Sequence, residues 1–494
     1  MARNRTSWGC LPPSIQSEII GLLPSLGGRC SQLVTVSKVW QSIIEPLNFA
    51  EISLTVPRLA DLNSHAILFR RRNQIRYIWF RVELKQYDCR KCAGTDRDLW
   101  GLNNVDNQLI ADAFQSLFTT LSPWEPRGDL VLDIGVYSPS DNQHWFKYLS
   151  FCSDTNLGEC LSRHGHEQGT TQTNDPAHGW VAGQRIIAPS QYATEVVFDE
   201  IMAEGPFDDE EPEMQWWRSL PLVPVVGVVL LRQQTRRRWK PVALANMLTR
   251  AYLIPDNSLD AAADHPETGN QTLIQSFPST GLCKLTIFEN FNEAYPESFF
   301  ECVTIREPDP AVSQTLARAS LYLTMLSASF MADASHFFAA RQDSWTWDKL
   351  TSLTLTSRVL TNLANPLTIN NMLRDAAVAA LQMPRLDMME LWNGRRGVAM
   401  LFRYQRAQGG QPAIITIRGT AELALGITAT QAWDVVAHQH FHGEVVVHSS
   451  SIDPDTIRCH GDAIRQLGLL TEVTRPVSLR QILSEDRFRR KGEN

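Results

Sequence analysis

Two sets of side chains in this sequence are of types that could do chemistry. The first is Cys89-Arg90-Lys91-Cys92, a CxxC pair. Two thiols at that spacing supply half of a structural zinc site, whose other half is a second pair of cysteines or histidines. No second CxxC exists, and the candidates downstream are Cys152, Cys160, His164 and His166. Their C-x7-C-x3-H-x-H order is not a zinc-ligand spacing. Redox chemistry would need the pair at a thioredoxin-type strand-to-helix turn, and CRKC does not sit in such a pattern. The expectation is therefore two partly buried loop thiols and no metal ligand. The second set is His438, His440 and His442 with His448. On a helix His438 and His442 share a face at i, i+4, as zinc-binding histidines do, but no glutamate follows the first as in HExxH. Histidines at a helix C-terminus suit its dipole, so a surface role is expected.

Other chemistry is not encoded by any motif. The chain has no GxxxxGK[ST] phosphate loop, no GxGxxG, no GxSxG elbow and no kinase motif set. Acidic pairs occur, but a pair without geometry is only composition. No catalytic residue and no cofactor are expected, which leaves binding as the function to look for.

The elements that would position a binding surface begin at residues 11–54. Leu11-Pro12-Pro13 gives a stiff entry to a helix, with Ser14 as its expected N-cap. Ile15, Ile19, Leu22 and Leu23 recur at i, i+4, i+7 and i+8, one apolar face, and Leu26-Gly27-Gly28 closes the helix. A second helix is expected to carry Leu33, Val36, Val39, Trp40 and Ile43 and to stop before Pro46. So short a helical unit buries too little surface to stand alone and must dock on the rest of the chain or on a partner.

Leu11-Pro12, then Ile15, Ile19 and Leu23, then Leu33, Val36-Ser37 and Trp40 at these distances resemble an F-box, over residues 8–54. The resemblance implies a Skp-type adaptor as partner and, through it, a cullin of an SCF-type ubiquitin ligase. It implies adaptor contacts at Leu11, Pro12, Ile15, Ile19, Leu22, Leu23, Leu33, Val36 and Trp40, with the remainder of the chain selecting a protein substrate. Two alternatives stand beside it: an F-box-like scaffold outside ubiquitination, and a metal-dependent protein using Cys89, Cys92 and the histidines.

Composition frames this reading. A chain of 494 residues with 43% hydrophobic and 20% charged residues is a folded protein of several units or one elongated solenoid. A net charge of −7 gives no basic footprint for nucleic acid. No apolar run approaches a membrane span, the best being residues 222–231 with Pro224 inside it. MARNRTSWG lacks the apolar core of a secretory signal. Nine scattered cysteines fit reduced thiols, hence cytoplasm or nucleus.

A spaced triplet then recurs. Ile75, Ile78 and Phe80 introduce it, with a helix expected over residues 106–121 (Leu109, Ala113, Phe114, Leu117, Leu121) and a strand at Leu130, Leu132 and Ile134. It returns at Leu282, Leu285 and Ile287, at Leu323, Leu326 and Ala328, at Leu350, Leu353 and Leu355, and at Leu386, Met389 and Leu391. Helical patterns over residues 311–321 and 367–383 lie between. Strand, helix and parallel strand is the unit of a leucine-rich-repeat-like solenoid, although strict repeats are shorter and carry an asparagine turn. An F-box followed by such repeats resembles an architecture expanded in fungi.

The expected fold class is thus α/β: a helical F-box (8–54), first strand–helix repeats (55–150), an irregular insertion with an acidic loop (151–220), leucine-rich-repeat-like repeats (221–405) and an α/β C-terminal cap (406–494). Within the insertion, residues 154–189 read as exposed and residues 204–213 as a flexible acidic loop, followed by Trp216 and Trp217, expected to be buried. A buried strand over residues 223–231 precedes Arg236-Arg237-Arg238, which should be solvated or paired with an acidic loop, and a helix over 239–249. In the cap, strands are expected at 413–417 and 444–448, helices at 430–442, 456–467 (ended by Gly468) and 479–483, and a frayed end from Ser484.

Overall fold

In the computed structural model the described residues are 8–23, 30–64, 70–92, 101–127, 129–154, 174–187, 189–202, 205–231, 237–251, 273–275, 282–290, 308–407, 411–441 and 444–490. The chain opens with α1 (Pro13–Leu22), begun by a proline whose fixed φ already suits the first helical position. Pro12 occupies the N-cap and no side chain caps, so Ser14 lies inside the helix and does not begin it. A 3₁₀ turn at Cys30–Thr35 and a break at Val36-Ser37 precede α2 (Lys38–Ala50), where the Ser37 hydroxyl accepts from the Trp40 N–H at 3.3 Å. The expected second helix is thus two pieces. It does not stop before Pro46 but contains it, the lost hydrogen bond being offset by Ile44, fully buried in the same stretch. Leu26-Gly27-Gly28 lie outside the described residues.

α2 runs directly into β1 (Glu51–Thr55), a strand that the sequence reading had placed within the helical unit. Then come α3 (Val56–Ser64), β2 (Tyr77–Glu83), the single turn α4 (Cys89–Cys92), α5 (Asn104–Leu121) and β3 (Leu130–Tyr137). Residues 174–251 add β4 (Trp180–Val181), β5 (Gln184–Arg185), α6 (Gln191–Phe198), β6 (Glu200–Ile201), α7 (Glu210–Ser219), β7 (Val226–Leu231), β8 (Arg238–Trp239) and α8 (Pro241–Ala251). A parallel sheet forms in the order β1-β2-β3-β7. Its register sets Ile52, Ile78 and Leu132 side by side, and Leu54, Phe80 and Ile134 likewise, against Phe114 and Leu117 of α5.

Three expectations in this half are corrected. Residues 174–185 are not exposed throughout: His178 is 6% and Trp180 1% exposed, while Pro176, Ala177, Val181 and Ala182 are exposed as expected. Glu210, Glu211 and Glu213 are the first turn of α7 and not loop, where carboxylates favour the positive end of the helix dipole. Arg237 is buried, donating to the Val196 carbonyl at 2.9 Å and pairing with buried Asp141 at 3.3 Å; Arg236 lies outside the described residues. Trp217 is fully buried, as expected.

The second half continues with β9 (Lys284–Phe288), α9 (Pro310–Ala319), β10 (Met325–Ser329), α10 (Ala334–Ala339), β11 (Ser352–Thr356), α11 (Pro366–Ala380) and β12 (Met388–Arg395). β13 (Val398–Gln405), β14 (Ala413–Gly419), α12 (Ile427–Phe441), β15 (Val445–Ser451), α13 (His460–Leu467) and α14 (Pro476–Arg490) complete it. The recurring triplets fall in register: Leu285, Leu326, Leu353 and Met389 form one row, and Ile287, Ala328, Leu355 and Leu391 the next. These rows are buried beneath α9, α11 and α12, with Leu316, Leu373 and Trp433, except that Leu285 and Ile287 on the edge strand β9 are half-buried. β12, β13 and β14 then run antiparallel, and β14–β15 return to parallel. The seven strands β9–β15 form one sheet in sequence order, so residues 413–451 continue it and are not a separate cap. α13 packs on the opposite face with Trp392, Leu401 and Ile452. It begins at His460 and ends on Gly468 at φ +64. α14 extends to Arg490, well beyond the expected short helix, and ties the two halves together: the Ser150 N–H donates to Gln481 at 3.2 Å and Arg475 pairs with Asp154 at 2.8 Å.

The fold is mixed α/β with several sheets. Among the described residues no helix is long and apolar enough to cross a membrane.

Candidate functional site

The N-terminal helices carry their apolar residues in two ways. Ile20, Cys30 and Ile44 form a small buried cluster, packed by half-buried Leu23, Leu33, Trp40 and Ile43. Trp40 leans on Trp8 at 5.7 Å, and the Gln16 side chain donates to the Leu11 carbonyl at 2.9 Å, so half-buried Leu11 and Trp40 hold the unit together. The remaining apolar side chains face water: Ile15 is 41%, Ile19 37%, Leu22 56% and Val36 58% exposed, with Pro12 beside them. Of the nine residues singled out in the sequence, five are thus presented outward and four, Leu11, Leu23, Leu33 and Trp40, brace them. The α1 periodicity predicted one apolar face, and Ile15, Ile19 and Leu22 of it point outward while Ile20, outside that pattern, points inward.

The Cys89–Cys92 pair has a neighbourhood the sequence did not disclose. Cys89 Sγ lies 3.7 Å from His144 Nδ1, and Cys92 Sγ lies 3.4 Å from His178 Nε2. The two imidazole nitrogens are 3.2 Å apart. α4 presents both thiols, the segment after β3 brings His144, and the turn before β4 brings His178. Tyr87 stacks on the His144 ring at 5.5 Å, and the Asp175 carboxylate accepts from His178 Nδ1 at 2.8 Å. Burial raises the Asp175 pKa, but the hydrogen bonds from Lys147 and His178 outweigh it and hold the group below its ordinary value. Burial pushes the Cys92 thiol up to about 11. The candidates that local spacing offered are not brought here: Cys160, His164 and His166 lie outside the described residues, and Cys152 is disulfide-bonded, where reduced thiols were expected. Of the C-terminal histidines, His438 lies on α12 and His448 is exposed on β15, while His442 and the His440 side chain lie outside the described residues.

Residues 276–475 match the model of a family of unknown function, DUF6546. No curated protein matches the chain, and no solved structure does. The matched stretch is the seven-stranded sheet with its helices through α13; α14 and the first sheet lie beyond it. Within that stretch a pocket of about 670 Å³ opens at the C-terminal ends of β9–β12, lined by Asn290, Phe330, Asp333, His336, Arg358 and Asn393 among others. The crevice at the carboxyl ends of parallel strands is where α/β sheets take ligands. Asp333 is committed to structure there, since its carboxylate accepts the Ser335 and Arg358 N–H groups at 2.8 and 2.7 Å.

Proposed function

We propose that the chain is the substrate-recognition subunit of an SCF-type ubiquitin ligase. Its α1–α2 unit binds the helices of a Skp-type adaptor, which connects it to a cullin. The observation that carries this is the set of outward apolar side chains Pro12, Ile15, Ile19, Leu22 and Val36, on a helical unit whose buried hydrophobic cluster, among the described residues, is Ile20, Cys30 and Ile44. Exposed apolar side chains scattered singly are ordinary, whereas a contiguous set on paired short helices marks an interaction surface. The complementary partner is an amphipathic helix laid along these exposed apolar side chains, read through anchors one helical turn apart. The remainder of the chain holds a protein substrate, and the pocket at the ends of β9–β12 is wide enough for one or two side chains of it. The chain itself performs no bond chemistry and acts by positioning.

Because Ile15 is exposed, its replacement tests binding without unfolding the chain. Pro12→Ala with Ile15→Asp in the full chain removes apolar burial worth about 1.5–3 kcal/mol per large side chain and sets a charge in the apolar contact. Adaptor affinity should fall at least about 100-fold, which is some 2.8 kcal/mol. Unchanged affinity in a folded double variant would place the interface elsewhere. A scaffold outside ubiquitination would bind the adaptor weakly even in its native form.

A further inference from the structure

We propose that Cys89, Cys92, His144 and His178 form a structural zinc site that fastens residues 174–185 to the first sheet. All four ligand atoms lie within 4.8 Å of one another. A tetrahedral zinc with Zn–S of about 2.3 Å and Zn–N of about 2.0 Å needs ligand atoms about 3.3–3.8 Å apart. The observed 3.7 Å (Cys89 to His144), 3.4 Å (Cys92 to His178) and 3.2 Å (His144 to His178) match three of the six edges of such a tetrahedron to about 0.1 Å, and the other three pairs lie within 4.8 Å. Two thiolates and two imidazoles are the donor set of a closed structural site, with no position left for substrate.

The surroundings are those of a metal centre in their orientation. Asp175 accepts from His178 Nδ1, which fixes the tautomer that leaves Nε2 free to ligate, and Lys147 holds the carboxylate in turn at 2.8 Å. Such carboxylate–histidine pairs orient zinc ligands and raise their basicity. The Asp88 carboxylate accepts from the Arg90 N–H at 3.0 Å and shapes the single turn that aims both thiols the same way. The ligands are far apart in sequence, His144 55 residues from Cys89 and His178 another 34 beyond, so the site closes long loops. On binding, two thiols lose their protons to solvent and both imidazoles bind neutral. A second cluster, Cys459, Asp462 and Asp486, is the weaker candidate, with one thiol and two carboxylates.

The test uses the full chain purified under reducing conditions. Metal analysis should return about one zinc per chain, and Co²⁺ exchanged into the same protein should give the ligand-field spectrum of a tetrahedral S₂N₂ site. A chelator should make two further thiols per chain reactive. Cys89→Ser with Cys92→Ser should lose the zinc, Asp175→Asn should weaken it about 10–100-fold, and Cys459→Ser should keep it. A folded native chain that holds no zinc and gives no tetrahedral cobalt spectrum would overturn the proposal. So would loss of zinc in Cys459→Ser with retention in the Cys89/Cys92 variant. Should the double cysteine variant fail to fold, the cobalt spectrum of the native chain still decides.

Discussion

Glu390, in the middle of β12, is the side chain whose removal should cost the second sheet most. Its side chain is fully buried and its Oε1 accepts from Arg403 Nε on β13 at 2.8 Å. Oε1 also accepts the Leu470 N–H at 2.9 Å, and Oε2 accepts the Thr471 N–H at 3.0 Å. Arg403 in turn donates to the Gly468 carbonyl. One carboxylate thus joins two strands to the segment that follows α13. Glu390→Ala strands a buried guanidinium, a loss of about 3–5 kcal/mol. It also leaves two backbone N–H groups without acceptors, at about 1–3 kcal/mol each where water cannot reach them. These losses overlap, and about 5 kcal/mol is the expected total. Glu390→Met with Arg403→Met removes both charges and should cost only the two orphaned N–H groups, about half as much. Urea unfolding of the full chain, followed by tryptophan fluorescence, reads this directly. With a slope of about 3 kcal/mol/M the single variant should lower the midpoint of the affected transition by more than about 1 M. A single variant within about 1 kcal/mol of the native chain would refute the reasoning. So would a double variant less stable than either single one.

Two further expectations rest on the same kind of contact. Leu353, fully buried in the central row of β9–β12, should cost about 2–5 kcal/mol as Leu353→Ala. Leu363→Ala, at a residue 84% exposed, should be silent in the same denaturation assay. Glu213 is buried on α7, bonded to Trp217 Nε1 at 3.3 Å and Lys240 at 3.4 Å, and burial raises its pKa despite Lys240. The folded chain therefore holds this proton to higher pH than the unfolded chain. Its contribution to stability is fullest below the ordinary carboxylate value and declines as pH rises through the raised one. Glu213→Gln should remove that decline, so its stability relative to the native chain should grow from pH 4 toward neutrality; a constant difference would contradict it.

Much of the second sheet was legible because its signal is local and repeated. The triplets at Leu285, Leu326, Leu353 and Met389 landed in one row, since parallel strands separated by helices must align their buried positions. β13 was missed because residues 398–405 are apolar without alternation, buried on both faces, and joined to β12 by the tight turn at Arg396-Gly397. β1 was missed because α2 passes into it without a break. Burial of the strand on both faces, by α11 on one side and α13 on the other, is a property of assembly that a window of sequence does not carry.

The Cys/His cluster shows the same limit more sharply. CRKC was visible, but its partners are set by the fold, through a strand, a loop and a returning turn. The available signal was weak: His144 adjoins Trp145, and His178 stands two residues before Trp180. An aromatic in a polar stretch marks a segment that returns to the core. On the N-terminal helices the periodicity identified the apolar face but missed the side chain that anchors the unit. Ile20, outside the predicted stripe, took the inward position and left Ile15, Ile19 and Leu22 to the solvent.

The most direct measurement is the affinity of the full chain for a purified Skp-type adaptor, beside the variant Ile15→Asp with Val36→Asp. Both substituted side chains are exposed, so the variant keeps the native fold. The account predicts a complex with the native chain and none with the folded variant. Equal binding by both, or binding by neither, would contradict an adaptor interface on this face.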